Sequence, residues 1–395
     1  MNKDIRIQLR NSLVEQLQRM GYVSADLKEN PSRFINKAAG IYRPRALFLE
    51  PRLRDLNQGD AWYFFPEDRS LGSLERLGHP RTEKTSTERR EQLDNILREG
   101  WEFKYQLNGA DAWDCIHVLD YEKPERNALT VSTCWPVNLN DEHSDVWDIV
   151  LCINEIPVLT LLIDDDFTHS LLQTDQTILD QIPAENGLLN LYTQYCLVTD
   201  GEHMYVGTPD TPGCEFQEWL PQSASQTERC LQTVEYFCHP KRLLEIYRTY
   251  TDLCHPAYLH REGQEPVRHL VSPQLYQQVE QVAAHVQKAC LDDVQCVGHV
   301  LMSDDEYAEL FMDLLSEKLV HHSSSLILMG MDYSNPEEIL EATRKGPSVV
   351  IAEDGLSAAQ CQRLIDEDPE LHVIQVLSDS TDTFGDCLLK IPCPC

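Results

Sequence analysis

A change of hydrophobic periodicity near residue 100 constrains the fold more than any other feature of this sequence. Upstream, two stretches repeat apolar residues at helical spacing, 3–20 and 86–99. The apolar positions of the first stretch are Ile5, Leu9, Leu13 and Leu17. Downstream, the chain breaks into short β-rich runs separated by turn signals: WEFKYQL, CIHVLDY, ALTVSTCWPV, WDIVLCI and PVLTLLID, with turns at Asn108-Gly109 and Asn154-Glu155. A helix near 167–181 and the strands TQYCLVTDG and EHMYVGT complete an α/β order.

From residue 294 onward, strand and helix patterns alternate regularly. The predicted strands are QCVGHVLM, SLILMGM, SVVIAED and LHVIQVLS, and helical patterns separate them. This alternation predicts a doubly wound parallel sheet. Helical patterns also dominate 222–290. The sequence therefore predicts an α/β domain with an N-terminal helical region over 1–225, a helical connector over 226–290 and a second α/β domain over 291–395.

The chain carries a large negative charge. Its 33 Lys and Arg against 65 Asp and Glu give a formal net charge of −32, which repels nucleic acid over most of the surface. The charge fits a solvated acidic surface, and it also fits a surface that imitates DNA. Basic residues cluster in 41–54 and 75–90, where DNA or an acidic partner could bind.

The apolar runs and the cysteines indicate the cellular compartment in which we expect the protein. The sequence contains no run of about 18 apolar residues and no signal-peptide pattern, so we expect no contact with a membrane. The 14 cysteines are scattered, and several, such as Cys152 and Cys196, lie in apolar runs. Buried free thiols in a reducing cytoplasm are the expected state.

Ordered motifs between 116 and 221 resemble a known family. IHVLDYEKPERNALTVSTCWPV, SDVWDIVLCINEIPVLTLLIDDD, LYTQYCLVTDGEHMYVGT and FQEWLP follow one another. They resemble the N-terminal nuclease domain of the R (motor) subunit of type I restriction enzymes, and the match runs without gaps from Asp148 to Asp164. Asn154 and Pro157 take the family's positions, as do Asp200-Gly201 and Gly207 in the later strand pair. The resemblance implies a PD-(D/E)xK nuclease-like domain and weakly extends to about residue 355.

The nuclease motif that the resemblance implies is degenerate in this chain. Such a site uses an Asp followed on the next strand by Asp/Glu-x-Lys, with both carboxylates holding Mg²⁺. Asp148 occupies the first acid position, Leu162 the second, and Asp164 stands where the family has Lys. A tyrosine is expected four residues after Gln176, but Asp180 stands there instead. The resemblance therefore implies an inactive site.

A shift of the second strand by two residues gives an alternative. Asp164 then becomes the second acid, and Asp166 takes the Lys position. Asp148, Asp164 and Asp166 together could bind Mg²⁺, although the cationic group would still be absent. The ungapped match through Asn154 and Pro157 argues against this shift.

The motor region is degenerate in the same way. Aligned with the family's phosphate-binding loop, Ala308 stands at the Lys position and Glu309 at the hydroxyl position. Asp304 and Asp305 fill a loop that should receive phosphate oxygens, so no ATP binding is expected. Because the chain ends at Cys395, the resemblance implies a shortened relative without a second motor lobe.

The final domain has a competing interpretation. The alternating pattern also suits a receiver-like domain instead of a RecA-like one. Asp304 and Asp305 would then hold Mg²⁺ and Asp354 would accept a phosphoryl group, with Ser378 and Lys390 placed loosely. A sheet with no chemistry is favoured over both active versions.

Three functions are compatible with these patterns. The first is a catalytically inactive relative that acts through binding in a bacterial or phage restriction or defence context, as a regulator, decoy or accessory subunit. Its partners would be restriction-system subunits or another defence protein, with DNA as a further candidate and the oligomeric state open. The second is a divergent Mg²⁺-dependent endonuclease that uses Asp148 with Asp164 or Asp166. The third is an acidic DNA mimic that inhibits a DNA-binding enzyme.

Overall fold

The computed structural model divides the chain into two compact units, Met1–Leu270 and Val271–Cys395, which we describe separately. The structure describes residues 3–25, 35–36, 41–42, 52–57, 93, 95–136, 146–163, 193, 195–209, 216–218, 226–249, 251–252, 269–270, 273–291, 297–301, 311–312, 314–316, 318–319, 328–329, 336–343, 348–353, 358–368, 371–377 and 390–391. None of the helices within these ranges is both long enough and apolar enough to cross a membrane.

The first unit is built from helices and strands in mixed order. Its helices are α1 (Lys3–Arg19), α2 (Gln226–Cys238) and α3 (Pro240–Thr249). Its strands are β1 (Val23–Ser24), β2 (Ile35–Asn36), β3 (Ile41–Tyr42), β4 (Trp101–Leu107), β5 (Ala110–Ile116), β6 (Leu129–Pro136), β7 (Val146–Ile153), β8 (Ile156–Ile163), β9 (Tyr195–Thr199), β10 (Met204–Gly207), β11 (Gln217–Glu218), β12 (Thr251–Asp252) and β13 (His269–Leu270). A short 3-10 helix spans Pro124–Arg126, and residues 52–56 and 95–99 are helical.

Seven strands form the central sheet of this unit, in the order β1-β6-β7-β8-β9-β10-β11. β7 pairs antiparallel with both β6 and β8, whereas β8 pairs with β9 in parallel, and β1 pairs with β6 in parallel. Every residue of β8 is buried. This agrees with its sequence, because strands covered on both faces have nearly continuous apolar runs. Cys152 and Cys196, on β7 and β9, are buried free thiols as the sequence predicted.

Two predicted turns are confirmed. Asn154 and Glu155 join β7 to β8 with φ values of 51° and 70°. Asn108 and Gly109 join β4 to β5 with φ values of 54° and 82°. Two consecutive positive φ values match the twist of antiparallel strands, which is why such dipeptides connect hairpins. β4 and β5 pair only with each other among the strands described, so they form a separate hairpin.

Helix α1 lies on the central sheet, where it contacts β6, β7 and α2. Leu9, Leu13 and Leu17 are buried as predicted, with exposed fractions of 8%, 0% and 1%. The prediction was wrong for Ile5, which is 54% exposed, because the buried stripe of α1 begins at Leu9. After α1, the Tyr22 hydroxyl donates a hydrogen bond of 2.8 Å to the carbonyl of Cys238 and so ties the two helices together.

Other sequence predictions for this unit had mixed outcomes. The run CIHVLDY was predicted as a strand, but β5 ends at Ile116 because the next residues enter a turn held by side-chain amides. The stretch 222–290 contains α2 and α3 and most of the helix Pro273–Leu291, yet it also contains the small β12–β13 hairpin. The helix expected near 167–181 lies outside the described residues.

The second unit contains the helices α4 (Pro273–Leu291), α5 (Pro336–Thr343) and α6 (Ala358–Glu367). Its strands are β14 (Val297–Leu301), β15 (Leu328–Met329), β16 (Ser348–Glu353), β17 (Leu371–Leu377) and β18 (Lys390–Ile391). All their pairings are parallel, as the alternating pattern predicted. The order β15-β16-β17-β14-β18 places the first strand between the fourth and the fifth. A receiver-like sheet has the order 2-1-3-4-5, so these strands do not match the receiver interpretation.

Candidate functional site

The site centres on Asp148, a carboxylate buried in the middle of the central sheet. Asp148 is the third residue of β7, and its side chain is 0% exposed. The ladder pairs Ile149 with Leu161 on β8, and one further step brings Asp148 opposite Leu162. Leu162 is itself buried, with an exposed fraction of 5%. An ionised side chain at such a depth needs charged or hydrogen-bonding partners.

Those partners come from α1 and from the neighbouring strand. Arg6 donates through Nε to Oδ1 of Asp148 at 3.0 Å and through Nη2 to Oδ2 at 2.8 Å. This two-pronged contact is the strong, planar geometry typical of guanidinium–carboxylate pairs. The backbone amide of Ile163 donates to Oδ2 at 2.8 Å, and Nη1 of Arg10 lies 3.7 Å from Oδ1. Both oxygens of the carboxylate are therefore engaged by donors.

This donor set does not fit Mg²⁺. The ion prefers about six oxygen ligands, of which a protein usually supplies one or two carboxylates, while water and substrate phosphate supply the rest. The guanidinium of Arg6 lies at hydrogen-bond distance from both oxygens of Asp148 and would repel a metal ion there. The side chain of Leu162, which the resemblance places at the second acid position, offers no oxygen. Within the described ranges no group of three or more His, Cys, Asp and Glu side chains is placed to hold a metal ion.

Several predicted site residues cannot be placed relative to this carboxylate. Asp164, Asp166 and Gln176 lie outside the described residues, and so do Asp304, Asp305, Ala308 and Glu309 of the proposed phosphate-binding loop. Asp354 and Ser378, named in the receiver interpretation, lie outside them as well. The structure therefore brings together Asp148 and Leu162 from the nuclease motif and adds two arginines to them.

Sequence reasoning missed Arg6 and Arg10. A signal was present, because Arg6 and Arg10 are four residues apart and continue the stripe of Leu13 and Leu17 along α1. Charged residues on the buried stripe of a helix indicate a buried partner of opposite sign. The partner, Asp148, is 142 positions away in sequence from Arg6, so no local pattern could identify it.

Motif residues around the β7–β8 turn have structural roles. The side chain of Asn154 accepts a hydrogen bond from the amide of Ala128 at 2.8 Å and donates to the carbonyl of Val118 at 2.9 Å. It also donates to Oδ1 of Asn127 at 2.7 Å, and that oxygen accepts the amide of Asp120 at 2.9 Å. These buried amides satisfy each other and fix the turn beside the sheet.

The Asp200-Gly201 motif also forms a turn, between β9 and β10. The carboxylate of Asp200 accepts the amides of Glu202 and His203, each at 2.7 Å, and the Nδ1 atom of His203 lies 3.0 Å from it. Burial raises the pKa of Asp200, but these hydrogen bonds outweigh burial and lower the pKa overall. The same side-chain hydrogen bond raises the pKa of His203, although partial burial opposes it. Gly201, at φ 93°, supplies the left-handed conformation that the turn requires.

Comparison with known proteins identifies the family. The family described as type I restriction enzyme R protein N terminus matches residues 8–213, which is just over half of the chain. The chain belongs to this family. The matched region contains most of α1 and the sheet from β1 to β10, including Asp148 and the turns at Asn154 and Asp200. Among curated proteins, no match to this chain was found.

Proposed function

We propose that this protein acts through binding within a restriction system and does not cleave DNA at its nuclease-like site. The observation that carries the proposal is the pairing of Asp148 with Arg6 and the amide of Ile163. An active site of this class needs a carboxylate that is free to ligate Mg²⁺. Here the corresponding carboxylate is committed to a structural ion pair.

The energetics favour the ion pair over a metal ion. The carboxylate of Asp148 is fully buried and Arg6 is 25% exposed on its side chain, so the pair is only partly screened by water. A metal ion would have to displace a two-pronged guanidinium and then bind with one carboxylate, since Leu162 replaces the other. The proposal therefore does not require the nuclease-like fold to be lost. The fold persists, and its central acid has a structural partner.

Plasmid nicking and metal calorimetry test the catalytic part of the proposal. The full chain is titrated with Mg²⁺ and Mn²⁺ and then incubated with supercoiled plasmid in either metal. The matched variant is Asp148→Asn, which keeps the shape of the side chain and removes its charge. We expect the wild type and the variant to behave alike, with no metal-dependent nicking from either.

One result would establish the competing nuclease hypothesis instead. Mg²⁺-dependent nicking by the wild type that disappears in Asp148→Asn, with the variant shown to be folded by circular dichroism, would contradict the proposal. Metal binding that depends on Asp148 would count against it in the same way. Such a result would point to Asp164 or Asp166 as the additional ligands.

The binding part of the proposal concerns restriction-system subunits. Family membership supports it, because the R protein acts as one subunit of a type I restriction enzyme. The tagged full chain is co-expressed with the subunits of a type I restriction enzyme of the same host, and the complex is isolated by size-exclusion chromatography. We expect co-elution with one of them. Elution of the folded chain alone, while the enzyme itself assembles, would refute this part.

For the second unit we propose an inactive RecA-like domain. The parallel sheet and the position of β14 between β17 and β18 support it, since the predicted phosphate-binding loop directly follows β14. Asp304 and Asp305 belong to this predicted loop, and their negative charge disfavours the binding of a nucleotide's phosphates. Titration with a fluorescent ATP analogue should therefore show no binding, whereas saturable binding competed by ATP would refute the proposal.

A further inference from the structure

The strand β4 has an outer edge that no described strand covers. Among the strands that the structure describes, β4 pairs with β5 alone. The edge of a strand carries a row of backbone amides and carbonyls that can pair with another chain. Addition of a strand to such an edge is a common mode of protein association. The outer edge of β4 is therefore a candidate interaction surface.

The geometry of the hairpin decides which residues of β4 present these backbone groups. In a hairpin with a two-residue loop, the residues that flank the loop, here Leu107 and Ala110, exchange hydrogen bonds with each other. Bonded and non-bonded pairs then alternate along the ladder, so every second residue of β4 directs its amide and carbonyl away from β5. These residues are Glu102, Lys104 and Gln106. Within the described part of the chain, none of the three has a backbone hydrogen bond outside its own hairpin.

Two of these outward residues carry opposite charges. Glu102 and Lys104 are both exposed and lie two positions apart, so their side chains are on one face of the hairpin. Lys104 pairs with Asp111 on β5, and its Nζ atom lies 5.7 Å from the centre of the Trp113 ring. Glu102 has no ion pair with any residue that the structure describes. An edge with one charge of each sign at this spacing is complementary to a second copy of itself.

The charges select one register for two antiparallel copies of β4. With a twofold axis at Phe103, Glu102 of each copy lies opposite Lys104 of the other, and these are the pairs that exchange backbone hydrogen bonds. An axis at Glu102 or at Lys104 would instead place like charges opposite each other, which is destabilising. An axis at Tyr105 would place Lys104 opposite Gln106 and gain no charge pair. The register centred on Phe103 is therefore favoured.

The other face of β4 agrees with this register. Trp101 of one copy lies opposite Tyr105 of the other, and both side chains are half-buried in the single chain. These positions form non-hydrogen-bonded pairs, in which the side chains approach each other more closely. Aromatic pairs at such positions stabilise antiparallel strands. Both faces of the strand thus favour the same pairing.

The outer edge of β5 is less suited to association. Its outward amide at Cys115 already donates to Oδ1 of Asp114 at 2.8 Å. The charged residues of β5, Asp111 and Asp114, are both acidic, so two copies of this strand would gain no opposite charges. Side-chain capping and like charges are devices that keep an edge from pairing. The argument from charge therefore applies to β4 and not to β5.

We propose that two copies of this chain associate through β4, which pairs with itself across a twofold axis at Phe103. The interface is isologous, because the same residues serve both sides. It joins two hairpins into a four-stranded antiparallel sheet in the order β5-β4-β4-β5. One strand pair makes a small interface, so we expect micromolar association in rapid exchange with the monomer.

Analytical ultracentrifugation of the full chain over a concentration series tests the proposal. Glu102→Lys and Lys104→Glu each place like charges opposite each other in the dimer. An equimolar mixture of the two variants restores opposite charges at both pairs of a mixed dimer. Glu15→Lys makes the same charge change as Glu102→Lys at an exposed position of α1, and it is the matched control.

We expect the wild type and Glu15→Lys to dimerise with equal dissociation constants. Each β4 variant alone should dimerise about tenfold more weakly, because two like-charged pairs replace two pairs of opposite charge. The mixture should recover most of this loss. In the wild type, hydrogen exchange of a peptide covering 101–107 should slow as the protein concentration rises, since the outward amides become bonded.

Three results would overturn the proposal. The first is a wild type that stays monomeric throughout the concentration series. The second is a dimer that Glu102→Lys weakens no more than Glu15→Lys does, or whose exchange slows only outside 101–107. The third is a mixture of the two β4 variants that associates as weakly as either variant alone, which would show that the charges do not meet across the interface.

Discussion

Removal of Arg6 should destabilise the first unit while leaving α1 intact as a helix. In Arg6→Ala, the carboxylate of Asp148 stays buried and loses the two-pronged contact at 2.8 and 3.0 Å. Alanine is a better helix former than arginine, so helix propensity cannot account for a loss of stability in this variant. The amide of Ile163 remains as a donor to the carboxylate.

The magnitude depends on the groups that remain around Asp148. Deleting one partner of a fully buried ion pair costs about 3–5 kcal/mol. Here Arg6 is 25% exposed and Arg10 stays at 3.7 Å from Oδ1, so water and the second arginine compensate in part. We therefore expect a loss of about 2–3 kcal/mol for Arg6→Ala. Arg10→Ala should weaken the hold on Asp148 less than Arg6→Ala does, because Nη1 of Arg10 lies 3.7 Å from Oδ1, beyond hydrogen-bond distance.

Hydrogen exchange in increasing urea measures this loss where it occurs. The peptide covering 146–163 contains Asp148 and both central strands, and its protection reports on the first unit without assuming that the whole chain unfolds in one step. Arg19→Ala, at an exposed position near the end of α1, is the matched control and should change stability by under about 0.5 kcal/mol. The cycle of Arg6→Ala with Asp148→Asn should give a coupling energy of about 1.5–3 kcal/mol.

Two outcomes would refute a structural role for the pair. If Arg6→Ala matches Arg19→Ala within error, the pair contributes nothing to stability. If the two single changes are additive in the cycle, Arg6 and Asp148 do not interact in solution. In either case Asp148 would not be committed to a structural partner.

Three further predictions concern the turns and the close packing of the sheet. Gly207→Ala should cost about 1–3 kcal/mol, because a Cβ there would lie 2.6 Å from the ring of Phe216; thermal denaturation measures the loss, and an unchanged midpoint would contradict it. Asn154→Ala should cost about 2–4 kcal/mol in urea unfolding, since it removes side-chain bonds to three buried groups and places alanine at φ 51°. The pKa of His203 is raised in the fold above its ordinary value of 6.5. Its pair with Asp200 therefore contributes fully to the stability of the fold below pH 6.5, and this contribution is lost as the pH rises through the raised pKa. His203→Gln should therefore lose under about 1 kcal/mol near pH 5 and progressively less at higher pH, and an equal loss at pH 5 and pH 9 would exclude the pair.

Most strands of this fold could be predicted from local patterns. The continuous apolar run of β8 and the asparagine-containing turns at 108–109 and 154–155 are local signals, and the structure confirms them. The separation of β4 and β5 from the main sheet could not be predicted. Strand patterns indicate that a segment is extended, but pairing partners depend on contacts distant in sequence.

Of the candidate site, the sequence identified Asp148 and Leu162 but not the arginines beside them. The expectation of Leu162 at the second acid position comes from the resemblance to the family's motif. The arginines that neutralise Asp148 lie on α1, and only the tertiary packing of α1 on β7 brings them together. Hydrophobic periodicity predicted the buried stripe of α1. It assigned Ile5 to this stripe and left Arg6 out, because periodicity alone ranks apolar residues above charged ones.

The pair between Arg6 and Asp148 also gives a structural reason for an aspartate at position 148. Replacing Asp148 by an apolar residue would remove the carboxylate that Arg6 contacts through two nitrogens, while the guanidinium stays partly buried. Leu162, in contrast, packs in an apolar sheet where a carboxylate would need a metal ion or another cation. Packing and charge therefore favour aspartate at position 148 and leucine at position 162.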